Sequence, residues 1–250
     1  MPCRGAEAPR LRVDDRRVLN GIYWRLRTGS PWADIPERYG PYTTCYNRFV
    51  RWRKAGVWDR LFDAVSMAYD GDVQMIDSSS IRVHQHGANG KKGTRRIPPP
   101  GREPDDRCMG RSRGGVTTKI HALVDARGLP IALKLTPGQA HDGRSAADML
   151  DTLGGGDVLL ADRAYDSDAL RLEMAARGVW ANIKPMPGRK RRPPFSAFLY
   201  RYRNLVERFF SKLKHFRAIA TRFEKHSENY LALVKLASAK IWLRLYEPVS

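Results

Sequence analysis

The spacing of hydrophobic residues changes along this chain and divides it into parts. Between residues 14 and 70, apolar side chains recur every three or four positions, which predicts helices interrupted at Gly29, Gly40-Pro41 and Gly56. Residues 1–10 show no period and predict a disordered, basic leader. We therefore predict a small all-α domain at residues 11–70 and a larger domain at residues 71–250.

Short hydrophobic runs replace the helical period in the larger domain. They predict strands at residues 73–76, 116–124, 131–135, 158–161 and 179–183. Helical patterns lie after the third strand, after the fourth strand and twice at the end of the chain. Three early strands followed by alternating helices and strands favour an α/β fold with one central sheet.

The charge of the chain narrows the class of partner. Its 45 lysines and arginines against 26 acidic residues give a net charge of +19 and a pI near 10.3, which is typical of nucleic-acid-binding proteins. The alternatives are an RNA-binding protein of the ribosomal kind and a cationic surface that binds nothing. Three scattered cysteines without a CxxC pair disfavour a disulfide framework or a structural zinc site. Without a 20-residue apolar span, the sequence predicts a soluble, cytoplasmic protein with no membrane partner.

Two basic segments interrupt the larger domain, at residues 84–115 and 185–196. Residues 85–115 hold eight Lys/Arg against three acidic residues and are rich in Gly and Pro, so they cannot form core. We interpret both segments as loops that contact DNA phosphates, with ordinary solvated loops as the alternative. The cations proposed for this contact are Arg111, Arg113, Arg189, Lys190, Arg191 and Arg192.

A polar, cationic stripe marks the helix predicted after Thr43. Asn47, Arg48, Arg51 and Lys54 follow one another at helical spacing, opposite apolar residues. Arg and Asn read base edges in the major groove, and the same side chains hold phosphates. The stripe predicts a DNA-binding helix, and a merely solvated helix face is the alternative.

The C-terminal helical pattern carries two distinct faces if it is one long helix. Tyr200, Arg203, Glu207 and Lys214 fall within an arc of roughly 60°. The core stripe comprises Leu199, Tyr202, Val206, Phe209, Leu213 and Phe216. Glu224 and Glu228 lie further on. Glu224 follows a predicted break in the helix and Glu228 lies beside a predicted helix cap, and we interpret both as surface charges.

Aspartates stand at the ends of two predicted strands, Asp77 after the first and Asp162 after the fourth. Together with Glu207 and the basic charge they suggest metal-assisted chemistry on nucleic-acid phosphates. Three converging carboxylates form an oxygen-rich site, which selects Mg²⁺ or Mn²⁺ over zinc. The three residues are far apart in sequence, so only a fold can gather them.

These motifs, taken with their flanking residues, resemble bacterial insertion-sequence transposases of the Asp-Asp-Glu class, in the IS-five-like group with a Tyr-Arg-Glu-Lys signature. The resemblance is carried by MIDSSSIRVHQH at 75–86, LLADRAYDSDALR at 159–171 and YRYRNLVERFFSKLK at 200–214. Residues 19–58 are similar to the DNA-binding segment of that group. The likeness covers nearly the whole chain from about Leu11.

The resemblance implies a ribonuclease-H-like fold, with a mixed five-stranded sheet flanked by helices and preceded by a small helix-turn-helix-like domain. Asp77, Asp162 and Glu207 would be the catalytic residues and bind two Mg²⁺ (or Mn²⁺) ions, while Tyr200, Arg203 and Lys214 contact DNA. The implied activity cuts element ends and joins their 3′-OH groups to target DNA. Its partners would be double-stranded DNA, with terminal inverted repeats and a target, and a second copy of the chain in a homodimer or higher oligomer. The implied location is the bacterial cytoplasm, at the nucleoid.

Two other functions stay open: a nuclease of the same fold, and a domesticated or inactive transposase that only binds DNA. For His84, His86 and His141 we favour stabilising or positioning roles over metal binding, and we expect His121 to pack in the sheet. We interpret Asp166 and Asp168 as turn and helix-cap residues.

Overall fold

The computed structural model describes residues 14–69, 71–88, 107–112, 114–145 and 147–246. The predicted leader and most of the first basic loop, including Arg113, lie outside these residues. The chain begins with helices α1 (Asp15–Thr28), α2 (Tyr42–Lys54) and α3 (Val57–Ser66). The two predicted helix breaks at Gly29 and Gly56 are confirmed, because both glycines adopt the left-handed backbone, at φ 72° and 67°.

Strands and helices then alternate. The elements in chain order are β1 (Val73–Val83), α4 (Gln85–Ala88), β2 (Gly110–Ser112), β3 (Gly115–Val124), β4 (Pro130–Pro137), α5 (Asp142–Ser145), β5 (Val158–Ala161), α6 (Asp168–Ala176), β6 (Trp180–Ile183), α7 (Ala197–Tyr200), α8 (Asn204–Lys214), α9 (Arg217–Ala220), β7 (Thr221–Arg222) and α10 (Ser227–Tyr246). Only the short α5 and a 3₁₀ turn at Ala147–Met149 occupy the place of the helix predicted after β4.

The five long strands form one mixed sheet in the order β4-β3-β1-β5-β6. β3 runs antiparallel to both β1 and β4, whereas β1, β5 and β6 are parallel. The predicted ribonuclease-H-like α/β fold, preceded by an all-helical region, is therefore confirmed. Two short strands extend it, β2 beside β3 and β7 beside β1. They have three and two residues, too few to produce a periodic sequence signal.

β1 is longer than its hydrophobic pattern indicates. The prediction ended this strand at residue 76, but pairing with β3 continues through Asp77, opposite Ala122, to Arg82, opposite Thr117. Backbone hydrogen bonds to β3 hold the polar run Ser78–Ser80 extended, which hydrophobic spacing does not reveal. Asp77 thus lies inside the strand rather than at its end.

Two hydrophobic clusters cover the two faces of the sheet. On one face, Met75 and Leu160 belong to the cluster that includes Val206 and Phe209 of α8 and residues of α10. On the other face, Ile76 and Leu159 pack with the residues of α6. The first cluster continues into the N-terminal helices through side chains such as Phe49. The boundary near residue 71 stays a prediction.

The segment that carries the Tyr-Arg-Glu-Lys signature is not one uniform α-helix. A 3₁₀ turn, Arg201–Arg203, joins α7 to α8. A 3₁₀ turn advances 120° per residue instead of 100°, so it rotates the side chains before it relative to those after it. Tyr202, which we placed in the core stripe, is accordingly 49% exposed, while Phe210 is 6% exposed.

Among the described residues, no helix combines the length and the apolar character needed to cross a bilayer.

Candidate active site

Asp77 and Asp162 stand side by side on neighbouring parallel strands. Met75 of β1 pairs with Leu160 of β5, and each aspartate follows its paired residue by two positions. Side chains two residues apart share one face of a strand. Both carboxylates therefore leave the sheet on the face that α8 covers.

Each aspartate is oriented by the backbone next to it. Asp77 accepts a hydrogen bond from the Ser78 N–H at 2.8 Å, and Asp162 accepts one from the Ala164 N–H at 2.8 Å. Burial raises the pKa of Asp77 above its ordinary value, and the nearby charge of Asp162 acts in the same direction. Arg203 and the Ser78 N–H oppose this shift.

Arg203 connects the helix to the sheet. Its guanidinium donates to Asp77 Oδ2 at 2.7 Å and to Glu207 Oε1 at 2.5 Å. From the sequence we considered only the local pair between Arg203 and Glu207. The bridge joins Glu207, which is 57% exposed, to Asp77, which is 16% exposed.

The helical signature segment is held to β6 by a buried asparagine that the sequence analysis missed. Asn182 is fully buried, donates to the Ser196 carbonyl at 3.1 Å and accepts from the Ser196 N–H at 2.8 Å. Ser196 in turn caps α7 by accepting from the Leu199 N–H. A polar residue inside the hydrophobic run 179–183 was the available signal.

A second carboxylate network, also missed, supports β1 next to Asp77. Asp142 accepts hydrogen bonds from Ser78 Oγ at 3.0 Å and from Lys119 Nζ at 2.9 Å. It ties β1, β3 and α5 together beside the active site. The signal in the sequence was Asp142 itself, the last residue of the stretch PGQAHD. From that stretch we had considered only the histidine, His141.

The carboxylates suit a hard divalent cation, because Asp77 and Asp162 present oxygen ligands at matching positions of adjacent strands. Among the described residues, however, no three His, Cys, Asp or Glu side chains already lie close enough to enclose a metal ion. Glu207 reaches Asp77 through the Arg203 guanidinium instead.

The histidines have separate surroundings. His121 is fully buried, as expected, with Nε2 2.8 Å from Thr136 Oγ1, and burial lowers its pKa to about 4. His84 accepts a hydrogen bond from the His86 N–H and packs on Phe223. The positioning roles of His84, His86 and the exposed His141 stay predictions.

One residue of the predicted DNA-binding stripe on α2 is buried and cannot contact DNA. Asn47, Arg51 and Lys54 are exposed, but Arg48 is only 4% exposed, forms an ion pair with Asp15 and lies 5.6 Å from the centre of the Trp52 ring. A buried arginine with a carboxylate partner cannot reach a major groove. The α-helical spacing could not show this, because Asp15 belongs to another helix.

The cations of the second basic loop also differ from one another, since one is paired with carboxylates and the others are exposed. Arg189, predicted to contact DNA, is paired with Asp166 and Asp168, and hydrogen bonds to these carboxylates raise its pKa. Lys190, Arg191 and Arg192 are exposed, as are Arg111 on β2 and Lys214 on α8. Tyr200 is half-buried between Phe195 and Lys184.

Of the four acidic residues that we had interpreted as turn, cap or surface residues, Asp166 follows a 3₁₀ turn as expected, but Asp168 and Glu224 need correction. Asp166 has a fully buried side chain, and Ser167, not Asp168, caps α6. Glu224 is 9% exposed and pairs at 2.9 Å with the buried Arg25 of α1. The correction at Glu224 comes from a partner distant in sequence. Glu228 is 72% exposed, as expected, and pairs with Arg53.

Comparison with known proteins gives matches along almost the whole chain. Residues 1–62 match the family model described as "Putative transposase of IS4/5 family", and residues 68–241 match the model "Transposase DDE domain". The "Putative transposase for insertion sequence element IS6501" of Brucella ovis is 45% identical over 130 residues, covering 52% of this chain and 100% of the relative. The "Putative transposase for insertion sequence element IS402" of Burkholderia cepacia is 33% identical over 155 residues, covering 58% of this chain and 68% of the relative.

A solved structure, "Mos1 transposase paired-end complex with left transposon end", overlaps 97% of this chain and 80% of its own at 11% identity and a TM-score of 0.29. So loose an overlap carries no argument about function. The family matches support a function, because the DDE-domain model covers more than half of the chain. The sheet order and the two aspartates of the neighbouring strands β1 and β5 agree with that match. The chain therefore belongs to the transposases with a DDE domain, and it is a DNA transposase, an enzyme of metal-dependent DNA strand cleavage and transfer.

Proposed function

We propose that Asp77, Asp162 and Glu207 are the catalytic and metal-binding residues of this transposase and that they hold two Mg²⁺ or Mn²⁺ ions. The observation that carries this proposal is the Arg203 bridge, which joins Glu207 to Asp77 beside Asp162. Two such ions, when bound, activate an attacking water or 3′-hydroxyl and stabilise the leaving oxygen of a phosphodiester.

Arg203 has to release one of its two carboxylates before all three can share a metal site. Until then its positive charge stabilises Asp77 and Glu207, which would otherwise repel each other. Once released, the guanidinium lies beside the bond to be cut and is free to bind a phosphate. Tyr200 and Lys214, on the same helical segment, hold the DNA backbone on either side.

The reaction proceeds in two halves at one site. Water first cuts an element end and frees a 3′-OH, which then attacks a phosphodiester of the target DNA. Joining two ends requires at least two protomers, so the active species is a homodimer or higher oligomer on the terminal inverted repeats. We place this activity in the bacterial cytoplasm, at the nucleoid.

The full chain should cut DNA at the ends of its own element. We expect 3′-OH nicks at the inverted repeats that flank its reading frame, only with Mg²⁺ or Mn²⁺, and none after chelation. Gel analysis of end-labelled fragments measures this, with a scrambled repeat as the control. Equal cutting of the scrambled fragment would indicate a stand-alone nuclease, and binding without cutting would indicate a protein that only binds DNA.

Residues 11–70 should recognise the element ends through α2, now with Asn47, Arg51 and Lys54 as its contacts. Arg51→Ala should weaken binding by about 1–3 kcal/mol if Arg51 reads a base, and by less if it touches only phosphate. Salt-dependent titration of end DNA against scrambled DNA separates the two cases. Lys54→Ala is the comparison for a phosphate contact and should weaken binding to both DNAs alike. Equal affinities of the unmodified chain for both DNAs would contradict sequence-specific recognition.

A further inference from the structure

A groove beside Asp162 is lined by cations. Arg163, Lys184 and Arg192 face it, together with Phe195 and the segment Pro185–Pro187. Its volume is about 310 Å³, the space of roughly ten water molecules, which is enough for a phosphate and its sugar. None of the described residues that line it carries a carboxylate.

The groove adjoins the carboxylates. Arg163 directly follows Asp162 in sequence, and Lys184 Nζ lies 5.3 Å from the centre of the Tyr200 ring. The guanidinium of Arg203 lies 5.7 Å from the same ring, and it is hydrogen-bonded to Asp77. Tyr200 therefore lies close both to a lysine of the groove and to the arginine that is bonded to Asp77.

Asp166 fixes the wall of the groove. Its buried carboxylate accepts hydrogen bonds from the Met186 N–H at 2.7 Å, from Arg189 Nε at 2.6 Å and from Arg171 Nε at 2.9 Å. Arg171 also donates to the carbonyls of Ala181 and Ile183 in β6. The loop that carries Arg192 is thus tied to the strand that precedes Lys184.

The cations of this region fall into two classes. Arg189 is neutralised by Asp166 and Asp168. Arg163, Lys184 and Arg192, by contrast, form no ion pair with any carboxylate among the described residues. Three cations around one groove repel one another, and an anion between them relieves that repulsion.

We propose that this groove binds a phosphate of the DNA backbone next to the cut, with Arg163, Lys184 and Arg192 as its ligands. Asp166 is a positioning residue that holds the groove open through Met186 and Arg189. The inference rests on the proposed function, because it takes the DNA to be cut at Asp162.

The test is DNA binding by the full chain, measured by fluorescence anisotropy on a short duplex over a series of salt concentrations without Mg²⁺ or Mn²⁺. Arg163→Gln, Lys184→Gln and Arg192→Gln should each weaken binding about tenfold, the size of one charge-assisted hydrogen bond. Each should also lower the salt slope by about one. Arg244→Gln, at an exposed arginine of α10 outside the groove and outside the predicted DNA contacts, should lose no more than about twofold. Equal losses in all four variants would overturn the proposal.

Asp166→Asn tests whether loss of this carboxylate weakens or strengthens DNA binding. Removing a negative charge should by itself strengthen DNA binding, but loss of the groove wall should weaken it about as much as Arg192→Gln does. Asp168→Asn is the matched control, because Asp168 is 81% exposed and also pairs with Arg189; its affinity should stay equal or rise. Tighter binding by Asp166→Asn would contradict its positioning role. If Asp166→Asn does not fold by circular dichroism, the three groove variants decide.

This assay does not depend on cleavage, so the two proposals fail separately. If the unmodified chain cuts its element ends and the groove variants bind DNA like Arg244→Gln, the groove proposal is wrong and the proposed function stands. If the groove variants lose affinity for DNA but the unmodified chain cuts nothing, the groove proposal stands and the proposed catalytic function is wrong.

Discussion

Glu207→Gln, Asp77→Asn and Asp162→Asn should each reduce 3′-end cleavage by at least about a thousandfold, the scale seen when residues that act as one catalytic unit are removed. The amide keeps the shape of the side chain and removes the charge that holds divalent cations. DNA affinity should stay equal or rise slightly, because these carboxylates repel phosphate rather than bind it. Strand-cleavage and strand-transfer assays in Mg²⁺, beside anisotropy titrations, measure both quantities.

Glu228→Gln is the matched control, since it makes the same chemical change at an exposed glutamate paired only with a helix α2 arginine. It should keep most activity. Substantial turnover by any of the three active-site variants would remove that residue from the catalytic site. A second readout is independent of turnover: calorimetric titration of the chain with Mn²⁺ should show weaker binding in each of the three variants.

Glu224→Gln should destabilise the folded chain by about 3–5 kcal/mol, the range for removing one partner of a buried ion pair. Arg25 is 2% exposed and lies 2.9 Å from Glu224, and Trp32 Nε1 donates to the same carboxylate. Burial lowers the pKa of Arg25 while Glu224 raises it, so the charged arginine depends on this partner. Urea denaturation followed by circular dichroism measures the change in the free energy of unfolding.

The control is again Glu228→Gln, whose exposed ion pair should contribute no more than about 1 kcal/mol. A double variant with Arg25→Met and Glu224→Leu should recover much of the lost stability, because an apolar pair leaves no buried charge. Equal stability of Glu224→Gln and Glu228→Gln would contradict the role of this ion pair in holding α1 to the segment before α10. Glu224→Gln should cut DNA normally in conditions where it is folded.

Local sequence determined most of the secondary structure and the identity of the candidate site. The bounds of β5, Val158–Ala161, were predicted without error, because a short apolar run between turn residues is a local signal. The helix breaks at Gly29 and Gly56 were also predicted, and both glycines adopt the left-handed backbone, which costs glycine little strain. Asp77, Asp162 and Glu207 could be singled out from strand ends, helix spacing and family motifs.

Side-chain partners were decided only by the tertiary structure. Arg203 meets Asp77 across 126 residues, Arg25 meets Glu224 from another helix, and Asp166 meets the loop that carries Arg189. The hydrophobic period indicates which face of a helix or strand is buried. It does not indicate which charged side chain of a distant segment will pair with a residue on that face. The sequence therefore determined which residues are candidates for the chemistry, and the tertiary structure decided which charges are exposed and which are paired inside the fold.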